Sequence, residues 1–244
     1  MLKYFFLILP SLLLLTNCST ISVDESKVKN LNNIGIVSVL DDKATLKYQG
    51  TTVFTNKEYT TNTASWDVNK VMTEKVNAEL SQLGKKTVAV QLDARKIQSA
   101  KEDALRLKNL YLGNRYQVLQ QYVLSEAEKQ GAEHILVIHP TLNDNFPVHK
   151  AGYGFLCQSP MGKKGDLEGY TMIGAEMWNV KQRELEARVT ISPEDAGFKT
   201  GKTCAEASKI SAEKMAAQYK EQMTALIQKA ATLIVNRAGF TQTK

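Results

Sequence analysis

The apolar residues fall into a few patterns, and each assigns an element. Ile34 to Leu40 (Ile-Gly-Ile-Val-Ser-Val-Leu) and Ile135 to Ile138 are short, nearly unbroken apolar runs rich in β-branched residues. Such runs read as strands covered on both faces. Thr87 to Leu92 is a third strand of similar kind. In Glu184 to Ile191 the charged residues Glu184, Glu186 and Arg188 alternate with Leu185, Ala187 and Val189, the pattern of a half-exposed strand. It pairs with the preceding stretch Tyr170 to Asn179. Ala44 to Tyr48 and Thr51 to Thr55, separated by Gln49-Gly50, predict a hairpin that Glu58 to Asn62 extends.

Other stretches repeat at helical spacing. Val68, Val71, Met72, Val76, Leu80 and Leu83 make one stripe over residues 66–83, with Ser65 as N-cap and Gly84 just past the end. Residues 97–129 form a longer helical stretch with Leu105, Leu112, Leu119, Tyr122 and Val123 on its buried side. Gly113-Asn114 interrupts it and Gly131 closes it. Thr203 and Glu206 have capping-box spacing and predict a single helix to about Arg237, with Gly239 beyond. Its stripe is Tyr219, Met223, Leu226, Ile227, Ala230 and Ile234, read as core. The alternation of strands and helices predicts an α/β fold: a mixed sheet with helices packed on it, in a single domain over residues 34–240.

Residues 140–170 break the pattern. Three of the five prolines and five of the fourteen glycines fall there. Ala151 to Cys157 reads as a strand, and Met161 to Gly165 as an exposed loop. Loops on a rigid frame carry function and aromatics are favoured anchors, so Phe146, Tyr153 and Phe155 are the candidate binding residues. The competing reading has them packed beneath their own loop.

The first eighteen residues have a different character. Lys3 precedes the run Tyr4 to Leu15, broken only by Pro10 and Ser11, and Leu15-Thr16-Asn17-Cys18 follows. The run suits the apolar core of an export signal but is short for a permanent membrane helix. Charge, apolar core and cysteine in this order resemble a bacterial lipoprotein signal, although Asn17 stands where that class has Gly, Ala or Ser. The resemblance implies cleavage before Cys18, acylation of Cys18 by a diacylglyceryl group and a further fatty acid such as palmitate, and a membrane-bound mature chain. Ser19, in the place where this class uses Asp for inner-membrane retention, implies the periplasmic face of the outer membrane. The alternatives are an ordinary cleaved signal with an incidental cysteine and an uncleaved anchor. Residues 1–17 are thus read as signal, and Cys18 to Asn33, polar and without aromatics, as lipidated cysteine and tether.

Without residues 1–17 the chain keeps thirty Lys and Arg against 25 acids, a charge of +5. No run of Lys or Arg exceeds two, so the balance reads as a solvated surface, and nucleic acid is not an expected partner. Cys157 and Cys204 remain besides Cys18, and in an oxidising periplasm they are a candidate disulfide; two free buried thiols are the alternative. Asp41-Asp42 after the first strand reads as a turn. The segment Ala196 to Thr203 matches a relaxed phosphate-loop pattern. Its first position is Ala, and Glu194 and Asp195 beside it would repel phosphate, so a strand-to-helix turn is preferred and no nucleotide is expected. His134 and His139, five apart on a strand, point to opposite faces and cannot share a metal; His149 lies in the loop. No catalytic residue, metal site or cofactor is assigned.

The lipidated N-terminus, tether, buried strand Ile34–Leu40 and α/β order resemble the small periplasmic α/β lipoproteins, such as the curli-secretion lipoprotein and the activators of penicillin-binding proteins. That resemblance is architectural, transfers no residue, and implies a non-catalytic binding or assembly role with an envelope protein as partner. The rival readings are an envelope hydrolase and a lipid or small-ligand carrier.

Overall fold

A computed structural model describes residues 28, 31–50, 56–108, 117–159 and 165–240. The signal, Cys18, strand 51–55, the Gly113-Asn114 break and most of the Met161–Gly165 loop lie outside the described residues. The strands are β1 (Ile34–Ser38), β2 (Lys43–Gln49), β3 (Lys57–Asn62), β4 (Thr87–Ala89), β5 (His134–Pro140), β6 (Gly152–Gln158), β7 (Asp166–Asn179), β8 (Glu184–Ile191) and β9 (Gly197–Thr203). The helices are α1 (Val68–Gln82), α2 (Ala94–Lys108), α3 (Gln117–Lys129), α4 (Cys204–Ala207), α5 (Ala212–Gln218) and α6 (Lys220–Arg237). The protein is α/β, with helices packed on a mixed sheet.

Strand β7 organises that sheet. Its fourteen residues are long enough to serve two half-sheets. The C-terminal half pairs antiparallel with β5 and β8, and the N-terminal half pairs antiparallel with β6 and β9. Further out, β1 lies parallel to both β5 and β4. In the other half β2 lies parallel to β6 and antiparallel to β3. One half therefore reads β4-β1-β5-β7-β8 and the other β3-β2-β6-β7-β9.

Alternation along the strands divides the core. Ile34, Ile36, Leu136 and Ile138 belong to one cluster with Met72, Val76 and Leu80 of α1 and Met223, Ile227 and Ile234 of α6. Val37, Val39, Ile135 and Val137 face the other way, with Leu119, Val123 and Ala127 of α3. This is why β1 and β5 have unbroken apolar centres, Ile34–Val37 and Ile135–Ile138. Each such side chain contributes on the order of 1.5–3 kcal/mol by leaving water. A third, smaller cluster of Leu156, Tyr170 and Met172 lies under Phe146 and Val148.

Several expectations are corrected. The tether read over residues 18–33 ends early: Val28 is 1 % exposed and Leu31 is buried, both within the main core cluster. The domain therefore begins before Ile34. The strand partner of β2 is β3, with Leu46 opposite Tyr59. The N-cap of α1 is Asp67, in a left-handed conformation after a 3-10 turn, rather than Ser65. The single C-terminal helix is three. Thr203 and Glu206 do form a capping box, but α4 stops after one turn, Ser211 caps α5, and α6 starts afresh at Lys220. Gly84, Gly131 and Gly239 follow helix ends with positive φ, as expected of C′ glycines.

Candidate functional site

The candidate aromatics are mostly core. Tyr153 is 2 % exposed and Phe155 1 %. Phe155 packs against Phe198 and Tyr219 at ring distances of 5.7–6.4 Å. Tyr153 lies beside Trp66, donates to the carbonyl of Asp41 at 2.8 Å and meets the Thr63 hydroxyl at 2.6 Å. Burial pushes the Tyr153 phenol up to about 12. The odd residues of β6 turn toward the helices, so neither ring is available to a partner. Phe146 is half-buried and seals the small third cluster, edge-on to His149 at 5.7 Å. Cys157 and Cys204 form a disulfide with Cα atoms 5.5 Å apart, tying the end of β6 to the start of α4.

The phosphate-loop look-alike is strand β9, whose Gly197, Phe198, Lys199 and Thr203 are in register with β7. Its backbone is committed to the sheet and cannot wrap a phosphate. The histidines stand apart, each beside a different glutamate: His134 with Glu186 at 3.5 Å, His139 with Glu176 at 4.0 Å, and His149 with Glu168 at 3.1 Å. Among the described residues no three potential metal ligands gather.

Three surface concavities lined by described residues differ in how far their polar groups are already paired. The first lies beyond the carboxyl end of β1, where α/β sheets leave a crevice. Its groups are occupied. Asn69 accepts from Leu40 N and donates to Leu40 O, and accepts from the Ser38 hydroxyl. Asp41 is 2.7 Å from Lys101. The turn read at Asp41-Asp42 is held further by Thr63 N donating to Asp42 O. The second cleft, beside β5 and β8, centres on Glu176. Arg188 holds that carboxylate at 2.8 and 3.0 Å and the Trp178 indole donates to it at 3.1 Å.

The third is a groove of about 510 Å³ between β3 and the α4–α5 turn, lined by Tyr48, Lys57, Tyr59, Thr60 and residues 208–213. Ser208 and Ser211 are paired locally, to Ala205 O and from Lys214 N, but other polar groups here are not. The Tyr48 hydroxyl is shielded from water yet has no hydrogen-bond partner among the described residues. Burial, with Tyr59 adding to it, pushes this phenol up to about 12, so the hydroxyl stays a neutral donor at physiological pH. Tyr59, 46 % exposed, stands edge-on to Tyr48 at 6.2 Å. Sequence reading passed over this groove because it joins a β-strand to a turn 150 residues downstream. The one local signal is Tyr59, a large aromatic in an otherwise polar strand.

No protein-family model matches the chain. No curated protein matches it either. Among solved structures it is similar to a lipoprotein of Neisseria meningitidis, GNA1162, at 11 % identity and a TM-score of 0.32, over 80 % of this chain and 99 % of that one. At that score the likeness does not establish a shared fold.

Proposed function

We propose that the chain is a lipid-anchored protein of the bacterial envelope, acylated at Cys18 and facing the periplasm from the outer membrane, with a non-catalytic binding or assembly role. The observation that carries this reading is the cysteine arithmetic. Of three cysteines, Cys157 and Cys204 are bonded to each other, which fits an oxidising compartment. Cys18 is left over, directly behind an apolar run with the order of an export signal. The binding role rests on the groove lined by Lys57, Lys209 and the exposed Tyr59 ring.

The test is metabolic labelling of growing cells with an alkyne palmitate analogue, comparing the intact chain with Cys18→Ala. Label on the first and none on the second is expected, with the labelled chain in the outer-membrane fraction. A native chain that takes no label refutes the anchor. Cross-linking in the same cells reads the binding role. An envelope protein captured by the anchored form, and lost with Cys18→Ala, is the expected result.

A further inference from the structure

The groove between β3 and α5 has the parts of a strand-addition site. Strand β3 is hydrogen-bonded to β2 and stands at the end of its half-sheet, so among the described residues its other edge is unpaired. An edge strand offers a row of backbone donors and acceptors to any extended segment. Natural edges are usually blunted; here residues 57–60 are exposed and contain neither proline nor bulge, and the protection is the charge of Lys57 and Glu58. The turn from Ser208 to Glu213 supplies a second wall beside that edge. An exposed edge beside a groove is how some peptide-binding domains capture an extended chain: the main chain gives affinity and pockets for alternate side chains give specificity.

The chemistry of the walls selects the occupant. On β3 the register places Lys57 opposite Tyr48 and Tyr59 opposite Leu46, so the two lie on the helix-covered face, toward the groove. Lys57 and Lys209 both line it, and neither is within ion-pair distance of a carboxylate among the described residues; the charge of Lys209 reaches Glu206 only at longer range. Against these two ammonium groups stands one lining acid, Glu213. The surplus of positive charge calls for an anionic acceptor, and a carboxylate supplies it. Tyr59 offers an exposed ring to an apolar side chain next to it.

We infer that this groove takes an extended acidic peptide segment of a partner protein, added as a further strand to β3, with carboxylates against Lys57 and Lys209. The inference rests on the binding role proposed above and names its site and its ligand chemistry.

Its test uses the mature full-length chain in detergent and a fluorescent heptapeptide of alternating glutamate and valine. Two further peptides replace each glutamate by lysine or carry N-methyl groups on alternate amides. Anisotropy should show saturable binding of the acidic peptide alone. The double variant K57Q/K209Q, altered only at surface ammonium groups, should weaken it at least tenfold, and Tyr48→Phe, which removes a hydroxyl shielded from the groove, should leave it unchanged. Hydrogen exchange should slow at the amides of β3 and not at those of β8, the edge strand of the other half-sheet. Equal affinity for the lysine or N-methylated peptide overturns the inference. So does an acidic oligosaccharide that binds where the peptide does not. Because neither readout involves Cys18, a peptide result of either sign is separable from failure of the lipid label.

Discussion

The two half-sheets share β7 and one helical layer but are covered unequally. The half containing β1 and β5 has helices on both faces: α1 and α6 on one, α2 and α3 on the other. The half containing β2 and β6 has its aromatic side under α5 and α6, where Phe155, Phe198 and Tyr219 meet. Its opposite side carries the segment 141–151, pinned by Lys47 to Val148 O at 2.8 Å and by Lys150 N to the Tyr170 hydroxyl at 3.1 Å. Beyond that segment the face is polar, with Lys47, Glu168 and Lys199 along it. The less covered half also holds the disulfide and the groove. Stability in one half comes from layers of helix. In the other it comes from a cross-link and a few aromatic contacts, which leaves edge and face open for recognition.

The largest effect should come from Phe155→Ala, which removes the ring joining β6 to β9 and α6. A loss of about 3–5 kcal/mol is expected in urea denaturation. A fully stable variant with altered partner capture would return Phe155 to the surface. Next is removal of the Cys157–Cys204 bridge by paired alanine substitution. It closes a loop with a sequence separation of 47, for which chain entropy gives about 4 kcal/mol. Amide exchange should then rise in β6 and β9 before β1 and β5; a uniform rise would mean the halves unfold as one.

A smaller effect joins the halves. Asp195, in the turn between β8 and β9, is held by Arg237 of α6, and by the backbone and hydroxyl of Ser192. The Arg237 hydrogen bonds, outweighing partial burial, hold its carboxyl well below the usual carboxylate range. A carboxyl whose folded pKa is depressed stabilises the fold above its unfolded value near 3.9. That contribution is lost as pH falls from there toward the folded pKa. About 1 kcal/mol is expected, since both side chains keep contact with water. Arg237→Ala should flatten the acid limb of stability against pH; an unchanged limb would show the pair to be inert. Smallest is Phe146→Ala, roughly 1 kcal/mol or less. Its signature is faster exchange at the His149 amide, which bonds Phe146 O, with β5 unaffected.

The same inequality explains what was legible in the sequence. Elements with helices over them announce themselves, because burial on both faces demands unbroken apolar runs. Ile34–Leu40 and Ile135–Ile138 are readable for that reason, as is the Met72–Val76–Leu80 stripe. Strand β9 was not, since Gly-Phe-Lys-Thr-Gly-Lys-Thr buries little and owes its shape to pairing with β7. The break at 208–211 was hidden because Ser208 and Ser211 act through local hydrogen bonds to Ala205 O and from Lys214 N. Tyr153 and Phe155 were misplaced by the glycines around them. Gly154 brings β6 so close to β2 that an added Cβ would lie 2.1 Å from Thr45 O; the stretch reads as a strand in the sequence, but which of its faces is covered does not show there. The groove needs tertiary structure to exist at all.

The burial of Val28 sets a length. Ten peptide steps separate Cys18 from Val28, and at no more than about 3.6 Å each they span roughly 35 Å at full stretch. On the proposal that Cys18 is acylated, the domain would be leashed within about its own width of the lipid surface. Such a leash would confine the search for a partner to a thin shell, where a membrane neighbour is met at millimolar effective concentration. A peptide site of modest intrinsic affinity would then suffice for a segment presented at the same membrane, and would stay empty toward the same segment free in solution.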